Sequence, residues 1–185
     1  MRLRLCIAMV IVTAPLWAAA AAQGQASRPE GTLTVAVATF GTERWLPHLY
    51  PGAEDVILKP VFENLLNRDP KTGELSPMLA ERWQITDGGR TWRFHLRKGV
   101  QFHDGRGELT AEDVRFTFAS IAKEGSANSL APEFRLIKSI EVEDRHTITF
   151  RFDKPWVVFG NKVTQGLFAS VGFIHSKRYI ESVGG

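Results

Sequence analysis

A histidine stands beside a carboxylate at His103-Asp104, and this pairing of residue types serves both general-base catalysis and metal binding. The pair lies in the segment 98–109, where Gly105 follows directly. An Asp-Gly step is typical of a turn, because the short carboxylate bonds its own backbone and glycine accepts a positive φ. We therefore predict a structural turn in which His103 packs beside Phe102, and no catalytic role for this pair.

His95 and His103 together offer two imidazole ligands for a metal ion. A protein metal site needs three or four ligands in fixed geometry, and the single cysteine, Cys6, lies far from both histidines in the sequence. The sequence also contains no nucleophile elbow, phosphate-binding loop or zinc-protease motif. We expect no catalytic residues, no metal site, no cofactor and no enzyme activity.

Residues 39–45 offer side chains for the reversible binding of a small molecule. They follow the alternating, β-branched stretch 33–38, which predicts a strand, and ligands of open α/β sheets bind at the carboxyl ends of strands. Aromatic rings supply apolar contact area, hydroxyl groups form hydrogen bonds, and a carboxylate accepts from an ammonium group. The alternative is an ordinary connection whose rings pack against the protein. The predicted ligand-binding residues are Thr39, Phe40, Gly41, Thr42, Glu43 and Trp45.

The first 22 residues have the composition of a secretory signal. Arg2 and Arg4 precede an apolar stretch of 13 residues, 5–17, and small alanines follow at 18–22. That stretch is shorter than the ~20 residues that a membrane-spanning helix needs. Cys6 precedes the cleavage region rather than following it, so we expect no lipid anchor. We predict cleavage after residue 22 and a periplasmic or secreted protein that is not a lipoprotein.

The charge balance gives no support for a nucleic-acid partner. The chain of 185 residues has a net charge of +3, but removal of residues 1–22 leaves 21 basic against 20 acidic side chains. No run of like charges marks a polyanion-binding surface. Since the predicted mature part has no cysteine, its stability must come from packing rather than from disulfides.

Two β-hairpins are predicted from alternating apolar and polar residues. Strands at 81–86 and 91–97 flank Asp87-Gly88-Gly89, and an Asp-Gly step between two such runs favours a hairpin. A second pair of strands, 137–143 and 147–152, flanks three polar residues. Because side chains alternate along a strand, one face of 91–97 is apolar and should point inward. These inward residues are Trp92, Phe94 and Leu96.

A helix is predicted to begin after Thr110, whose side chain suits the N-cap position. Acidic residues at 112 and 113 favour the positive end of the helix dipole, and Gly125 suits the C-terminal cap. One face of this helix is apolar and should be buried. Its residues are Val114, Phe118 and Ile121.

Four further elements follow from weaker patterns. Apolar residues at helical spacing predict a helix over 53–66 that Pro60 interrupts or kinks. A Pro- and Gly-bearing turn is predicted at 69–74, a helix at 156–165 and a last strand at 170–174.

The order and spacing of motifs over residues 31–181 resemble family 5 of the extracellular solute-binding proteins, the peptide- and nickel-type receptors of ABC importers. One departure is the loop 105–109, which is about a residue longer than the commonest form. The motifs that carry the resemblance are Phe62-Glu63-Asn64-Leu65-Leu66, Leu79-Ala80-Glu81-Arg82-Trp83, Phe94 to Gly105, Thr110-Ala111-Glu112-Asp113-Val114 and Tyr179-Ile180-Glu181.

The resemblance implies an α/β, type II periplasmic-binding-protein fold in which two lobes close on a solute, with an inserted domain of α+β character. It implies a signal peptide at 1–22, the start of lobe I at 23–50, the inserted domain at 51–160 and the return toward lobe I at 161–185. By this comparison the chain is an N-terminal fragment that lacks the second lobe.

The function that the resemblance implies is capture of a small solute outside the cytoplasmic membrane and delivery to ABC permease subunits. Peptides are the favoured solute, with oligosaccharides, opines and chelated nickel left open. The receptor would meet the membrane only through the permease and would be a monomer at full length. The alternatives are a secreted hydrolase and a truncated structural domain that binds nothing.

Overall fold

The structure is a computed structural model that describes residues 31, 32, 34, 36, 46, 49, 58–164 and 172–184. The chain divides into two units, Met1–Ala36 and Val37–Gly185, and every element below belongs to the second. Of the predicted strand at 33–38, only Thr34 and Ala36 are described, and neither of them lies in a strand. The domain boundaries proposed from the sequence stay predictions.

The described part of the second unit is a mixture of strands and short helices. A two-stranded antiparallel sheet pairs β1 with β2, and a four-stranded antiparallel sheet has the order β3-β4-β6-β5. Within the described ranges, no helix combines the length and hydropathy needed to cross a bilayer. The strands are β1 (Leu66–Arg68), β2 (Leu75–Pro77), β3 (Ala80–Thr86), β4 (Thr91–Leu96), β5 (Ile137–Asp144) and β6 (Thr147–Phe152). The helices are α1 (Ala111–Ala122), α2 (Ala131–Phe134), α3 (Phe159–Lys162) and α4 (Lys177–Ser182).

Both hairpins of the larger sheet are confirmed. β3 pairs with β4 and β5 with β6, as the alternating patterns predict. The β3–β4 turn is a short 3₁₀ turn, Asp87–Gly89, in which all three residues have positive φ. The Asp87 carboxylate accepts a hydrogen bond from the Thr91 hydroxyl at 2.6 Å, which closes this turn from within.

The core lies between the four-stranded sheet and α1. Phe94 on β4 and Phe150 on β6 meet edge to face at 5.8 Å between ring centroids, and Phe118 on α1 meets Phe150 at 5.2 Å. Edge-to-face rings are a favourable arrangement, and these side chains are fully buried. The buried faces predicted for β4 and α1 are therefore confirmed.

The start of α1 is joined to the start of α4 by one carboxylate. Asp113 accepts hydrogen bonds from the Thr110 backbone N–H at 2.9 Å and from its hydroxyl at 2.7 Å. The other oxygen of Asp113 accepts from the Lys177 backbone N–H at 2.9 Å. One buried side chain thus fixes two helix starts that are 64 residues apart.

Three sequence predictions are wrong in part. The predicted helix over 53–66 does not extend past Pro60, since only Leu58 of its described residues is helical and Leu66 begins β1. The backbone at 65–66 pairs instead with Ala80 and Val163, so tertiary partners override the helical spacing. The predicted helix at 156–165 is reduced to α3.

The predicted strand at 170–174 is not formed over its described residues, 172–174. Ile174 donates a single backbone hydrogen bond to the Glu63 carbonyl at 3.0 Å, without a ladder. By contrast, the turn predicted at 69–74 is present and joins β1 to β2. Its Asp69 carboxylate accepts from the backbone N–H groups of Thr72 and Lys71, both at 2.8 Å, and these bonds, that of Thr72 first, hold the pKa of Asp69 below its usual value.

Candidate functional site

A cavity of about 370 Å³ lies beside α4. Within the described part of the chain, this cavity is the candidate binding site. Its walls come from the segment Val61–Glu63, from the residues that precede and form α4, and from the loop 98–109, which we call the wall loop. Leu46 also lines it. The volume lies in the range of small-molecule pockets, ~300–1,000 Å³.

The inner surface of the cavity is apolar. Leu79, Leu109, Ile174 and Ile180 line it, and each is at least 95% buried. The Phe62 ring lines it as well and lies 4.8 Å from the His175 ring, centroid to centroid. Such a surface favours the apolar part of a ligand, because its burial removes apolar area from water.

The wall loop is closed by its own backbone. Leu109 donates to the Val100 carbonyl and Phe102 to the Gly107 carbonyl, both at 2.8 Å. Gly105 and Gly107 have φ of 65° and 100°, values that favour glycine and allow the chain to reverse around Arg106. The structure thus shows a loop that is closed by hydrogen bonds at both of its ends.

Glu108 fastens the wall loop to the turn between β5 and β6. Its carboxylate accepts from the Gly99 backbone N–H at 2.6 Å, from Arg145 Nη2 at 3.0 Å and from His146 Nε2 at 3.1 Å. These donors, the Gly99 amide first, lower the pKa of Glu108 from 4.5 to about 2. The carboxylate therefore holds both ends of the loop in place while it is ionised.

Charged groups stand at the outer edge of the cavity. The Arg106 guanidinium lies over the Tyr179 ring, with Cζ 3.9 Å from the ring centroid. Glu63 is paired with Arg97 Nη2 at 3.4 Å. Asp104 is 81% exposed, and its carboxylate oxygen lies 3.9 Å from Arg106 Nε.

The predicted ligand-binding residues Thr39, Phe40, Gly41, Thr42, Glu43 and Trp45 all lie outside the described residues. Leu46, the next residue along the chain, lines the cavity. Solute binding by 39–45 therefore stays a prediction.

The turn at His103-Asp104 is confirmed, since His103–Gly105 form a 3₁₀ turn with Asp104 at φ 56°. Its details differ from the prediction. Among the described residues the Asp104 carboxylate bonds no backbone N–H group and instead faces Arg106. The His103 ring lies 3.4 Å from the Val61 carbonyl, through Nε2, at the wall of the cavity.

His95 lies away from the cavity, on the opposite, polar face of the large sheet. Its Nε2 faces Arg93 Nη1 at 3.1 Å and its Nδ1 faces the Thr147 hydroxyl at 3.4 Å. Burial, and then the charges of Arg82 and Arg93, lower the pKa of His95. Across residues 58–164 and 172–184, no three His, Cys, Asp or Glu side chains are grouped as metal ligands.

Sequence reasoning did not find Arg106, Tyr179 or Glu108 as functional candidates. The one local signal was the Gly105-Arg106-Gly107 tripeptide, because flanking glycines let a loop present a single long side chain. Tyr179 is 73 positions away in the sequence, and no periodic pattern links it to the loop.

A model of the bacterial extracellular solute-binding proteins, family 5 (middle), matches residues 74–180. This span covers more than half of the chain. The chain belongs to this family. Its named relatives are much longer proteins. The chain spans about a fifth to a quarter of their length.

Two relatives illustrate the similarity. The chain is 34% identical over 117 residues to the probable ABC transporter periplasmic-binding protein SapA of Escherichia coli, covering 55% of this chain and 21% of SapA. It is also 34% identical over 128 residues to di/tripeptide-binding protein 4 of Pseudomonas aeruginosa, covering 60% and 24% of the two chains. Another relative, from Haemophilus influenzae, is named heme-binding protein A.

The solved structures show the fold. OppA of Haemophilus influenzae, in complex with the peptide RPPGFSPFR, superimposes with a TM-score of 0.65 at 22% identity, over 75% of this chain and 29% of OppA. The mixed helix and sheet architecture is thus that of type II periplasmic binding proteins, as predicted. Other matched structures hold agropinic acid, or nickel with L-histidine.

Proposed function

We propose that this chain belongs to the solute receptor of an ABC importer, which captures a small molecule outside the cytoplasmic membrane and hands it to permease subunits. The observation that carries the proposal is the family 5 match over residues 74–180. Relatives named as periplasmic-binding proteins support a periplasmic location. The pattern of residues 1–22 supports export by a cleaved signal.

Peptides are the solute class that the proposal favours. Relatives from Escherichia coli, Salmonella typhimurium and Pseudomonas aeruginosa are named for dipeptides, di/tripeptides or peptide transport. Heme, opine-like acids and nickel chelates are named for other relatives or structures, so they are the competing classes.

The proposed activity is binding without covalent chemistry. The cavity offers an apolar surface with a few charged groups at its edge, an arrangement typical of reversible small-molecule sites. We further propose that residues 39–45 contribute to the same site, because Leu46 already lines it. Trp45 would supply the largest contact area of that segment.

A thermal-shift screen of the full chain tests the proposal. The ligands are defined di- and tripeptides, oligosaccharides, hemin and nickel-histidine. A ligand at 100 times its dissociation constant stabilises the folded state by about 2.7 kcal/mol, which raises the unfolding temperature by several degrees. We expect peptides to do so, and Trp45→Ala to reduce the shift.

Two results would contradict the proposal. Stabilisation by none of these ligands at millimolar concentration would count against a receptor, and stabilisation by hemin or nickel-histidine alone would overturn peptides as the solute. Unchanged peptide binding by Trp45→Ala would remove the segment 39–45 from the site.

A further inference from the structure

His95 is a buried histidine on the polar face of the four-stranded sheet, and only 9% of its surface is exposed. In the register of the sheet, Arg82 of β3 stands opposite it on one side and Thr147 of β6 on the other. Arg93, two residues earlier on β4, lies on the same face because side chains alternate along a strand. The imidazole therefore lies among two arginines and a hydroxyl group.

The hydrogen bonds of this ring fit the neutral imidazole alone. Arg93 Nη1 lies 3.1 Å from His95 Nε2, and a guanidinium can only donate, so Nε2 must accept and cannot carry a proton. The ring proton is then on Nδ1, which faces the Thr147 hydroxyl at 3.4 Å. A second ring proton would set one N–H group against another and add a positive charge beside the two arginines.

The charged groups that face His95 come from three strands. Arg82 on β3 and Arg93 on β4 oppose a positive charge on the ring, whereas Glu143 and Asp144 on β5 favour one. The Glu143 carboxylate is already used by Arg93, which donates to it at 2.6–2.9 Å from Nε and Nη2. Burial first, and then the charges of Arg82 and Arg93, hold the pKa of His95 below its ordinary 6.5.

β3 is the strand that can yield to a charged ring. Arg93 is fixed by Glu143, and β6 lies inside the sheet between β4 and β5. β3 is instead an edge strand of its sheet, and its register with β4 shifts between Ala80 and Arg82. The Arg82 side chain is 61% exposed, and its Nε lies 3.8 Å from the Glu81 carboxylate, beyond hydrogen-bonding distance.

The start of β3 is joined to the wall of the cavity. Leu79, which immediately precedes β3, lines the cavity, and its carbonyl accepts from the Arg97 backbone N–H at 2.9 Å. Arg97 is two residues beyond His95. A displacement of the start of β3 from β4 therefore also displaces Leu79.

We propose that His95 is an acid-sensitive latch of β3: when its ring takes up a proton, the start of β3 separates from β4 and the cavity wall at Leu79 loosens. The inference goes beyond the proposed function and does not depend on it. It assigns a role to a buried histidine that lies outside the cavity.

The direction of the pH dependence follows from proton linkage. In the opened form the ring is hydrated and regains its ordinary pKa of 6.5, whereas the closed form binds the proton less readily. The opening equilibrium is therefore independent of pH above about 6.5 and rises as the pH falls below that value, by at most about tenfold per pH unit. The rise ends once the pH is below the pKa of the closed form.

Amide hydrogen exchange by NMR on the full 185-residue chain tests the latch between about pH 8 and pH 5. The comparison is His95→Gln, because glutamine keeps an oxygen that can accept from Arg93 but takes up no proton. The parent-to-variant ratio of exchange rates in β3 should be constant above about pH 6.5 and rise by up to about tenfold per pH unit below it. The Leu79 resonances should follow the same curve in the parent only, while the ratio for amides between β5 and β6 stays constant.

A second variant tests the charges without changing the histidine. Arg82→Gln removes one of the two opposing cations, so the pKa of His95, measured from its ring-proton shifts, should rise. The matched control is Arg90→Gln, an exposed arginine beside the opposite end of β4, and it should leave the titration of His95 unchanged.

A β3 exchange ratio that stays constant over the whole pH range would overturn the latch. So would Leu79 resonances that titrate equally in His95→Gln, a pKa of His95 that Arg82→Gln leaves unchanged, or an equal rise in Arg90→Gln. The Arg82→Gln titration also decides the question if His95→Gln does not fold, since that variant keeps the histidine.

Discussion

At the scale of single residues, carboxylates organise the candidate site more than the histidines do. Glu108 gathers three donors from two segments and so fixes the wall loop. The His103 ring lies beside the Val61 carbonyl, and His95 lies on another face of the sheet. Histidines are common catalytic and metal-binding residues, but in this protein the carboxylate of Glu108 contributes more to the structure of the candidate site than either histidine does.

Glu108→Gln should change how stability depends on pH. The ionised carboxylate has a folded-state pKa of about 2, below its ordinary 4.5. Its contribution is therefore complete above about pH 4.5 and is lost as the pH falls toward 2. The Gln variant should unfold at a lower urea concentration than the parent at pH 7, and the two midpoints should approach each other as the pH falls toward 2.

The control for this prediction is Glu124→Gln, an exposed residue beyond the end of α1. It should follow the parent at each pH. A constant difference between Glu108→Gln and the parent from pH 7 to pH 2 would show that the carboxylate charge is not what holds the loop.

At the scale of elements, the small helix α3 is placed by close contact rather than by its own sequence. Phe159 of α3 lies 5.0 Å from Phe150 and 5.7 Å from Trp92, between ring centroids. Gly160 follows, and a Cβ there would lie 2.6 Å from Leu75 Cδ1 and 2.8 Å from Trp92 Cη2. The helix can approach β4 only because this residue has no side chain.

Gly160→Ala should destabilise the protein by roughly 1–3 kcal/mol, the usual cost of overpacking a dense core. Chemical denaturation measures it. The backbone of Gly160 is not in the positive-φ region, so the cost is steric alone. Adding Leu75→Ala should not restore stability, since the rigid Trp92 ring remains in the way. A Gly160→Ala variant as stable as the parent would show that α3 moves freely against the sheet.

At the scale of the whole described molecule, contacts distant in sequence join segments that local patterns cannot relate. Asp113 connects the starts of α1 and α4. Arg106 and Tyr179 meet across the cavity from the wall loop and α4. The cavity exists because these distant segments are held against the same core.

Asp113→Asn should therefore loosen α4 and the cavity together. The amide keeps one acceptor but turns an NH₂ group toward one of the backbone donors that the carboxylate served, at a cost of about 1–3 kcal/mol. Hydrogen exchange should accelerate at residues 177–182 more than in β4 and β6. The control is Glu124→Gln, an exposed residue beyond the end of α1, which should leave exchange in α4 nearly unchanged. Equal exchange in Asp113→Asn and the parent would contradict this role.

Local chemistry made much of the fold predictable. The β3–β4 and β5–β6 hairpins follow from alternation and turn residues within about 20 positions, and α1 follows from its start signals and its apolar face. The failures share one cause. The spacing of apolar residues predicts that Leu66 lies in a helix, but its backbone pairs with β2 and with Thr164. Such distant partners cannot be recognised from the local spacing.

By itself the sequence determined the family, the hairpins and α1, because each depends on neighbouring residues or on motifs in a fixed order. Only the tertiary structure decided that Arg106 lies on Tyr179, that Glu108 fastens the wall loop and that Leu46 lines the cavity. The physical reason is that these contacts form between segments tens of residues apart, and their geometry is set by how the core packs rather than by any periodicity along the chain.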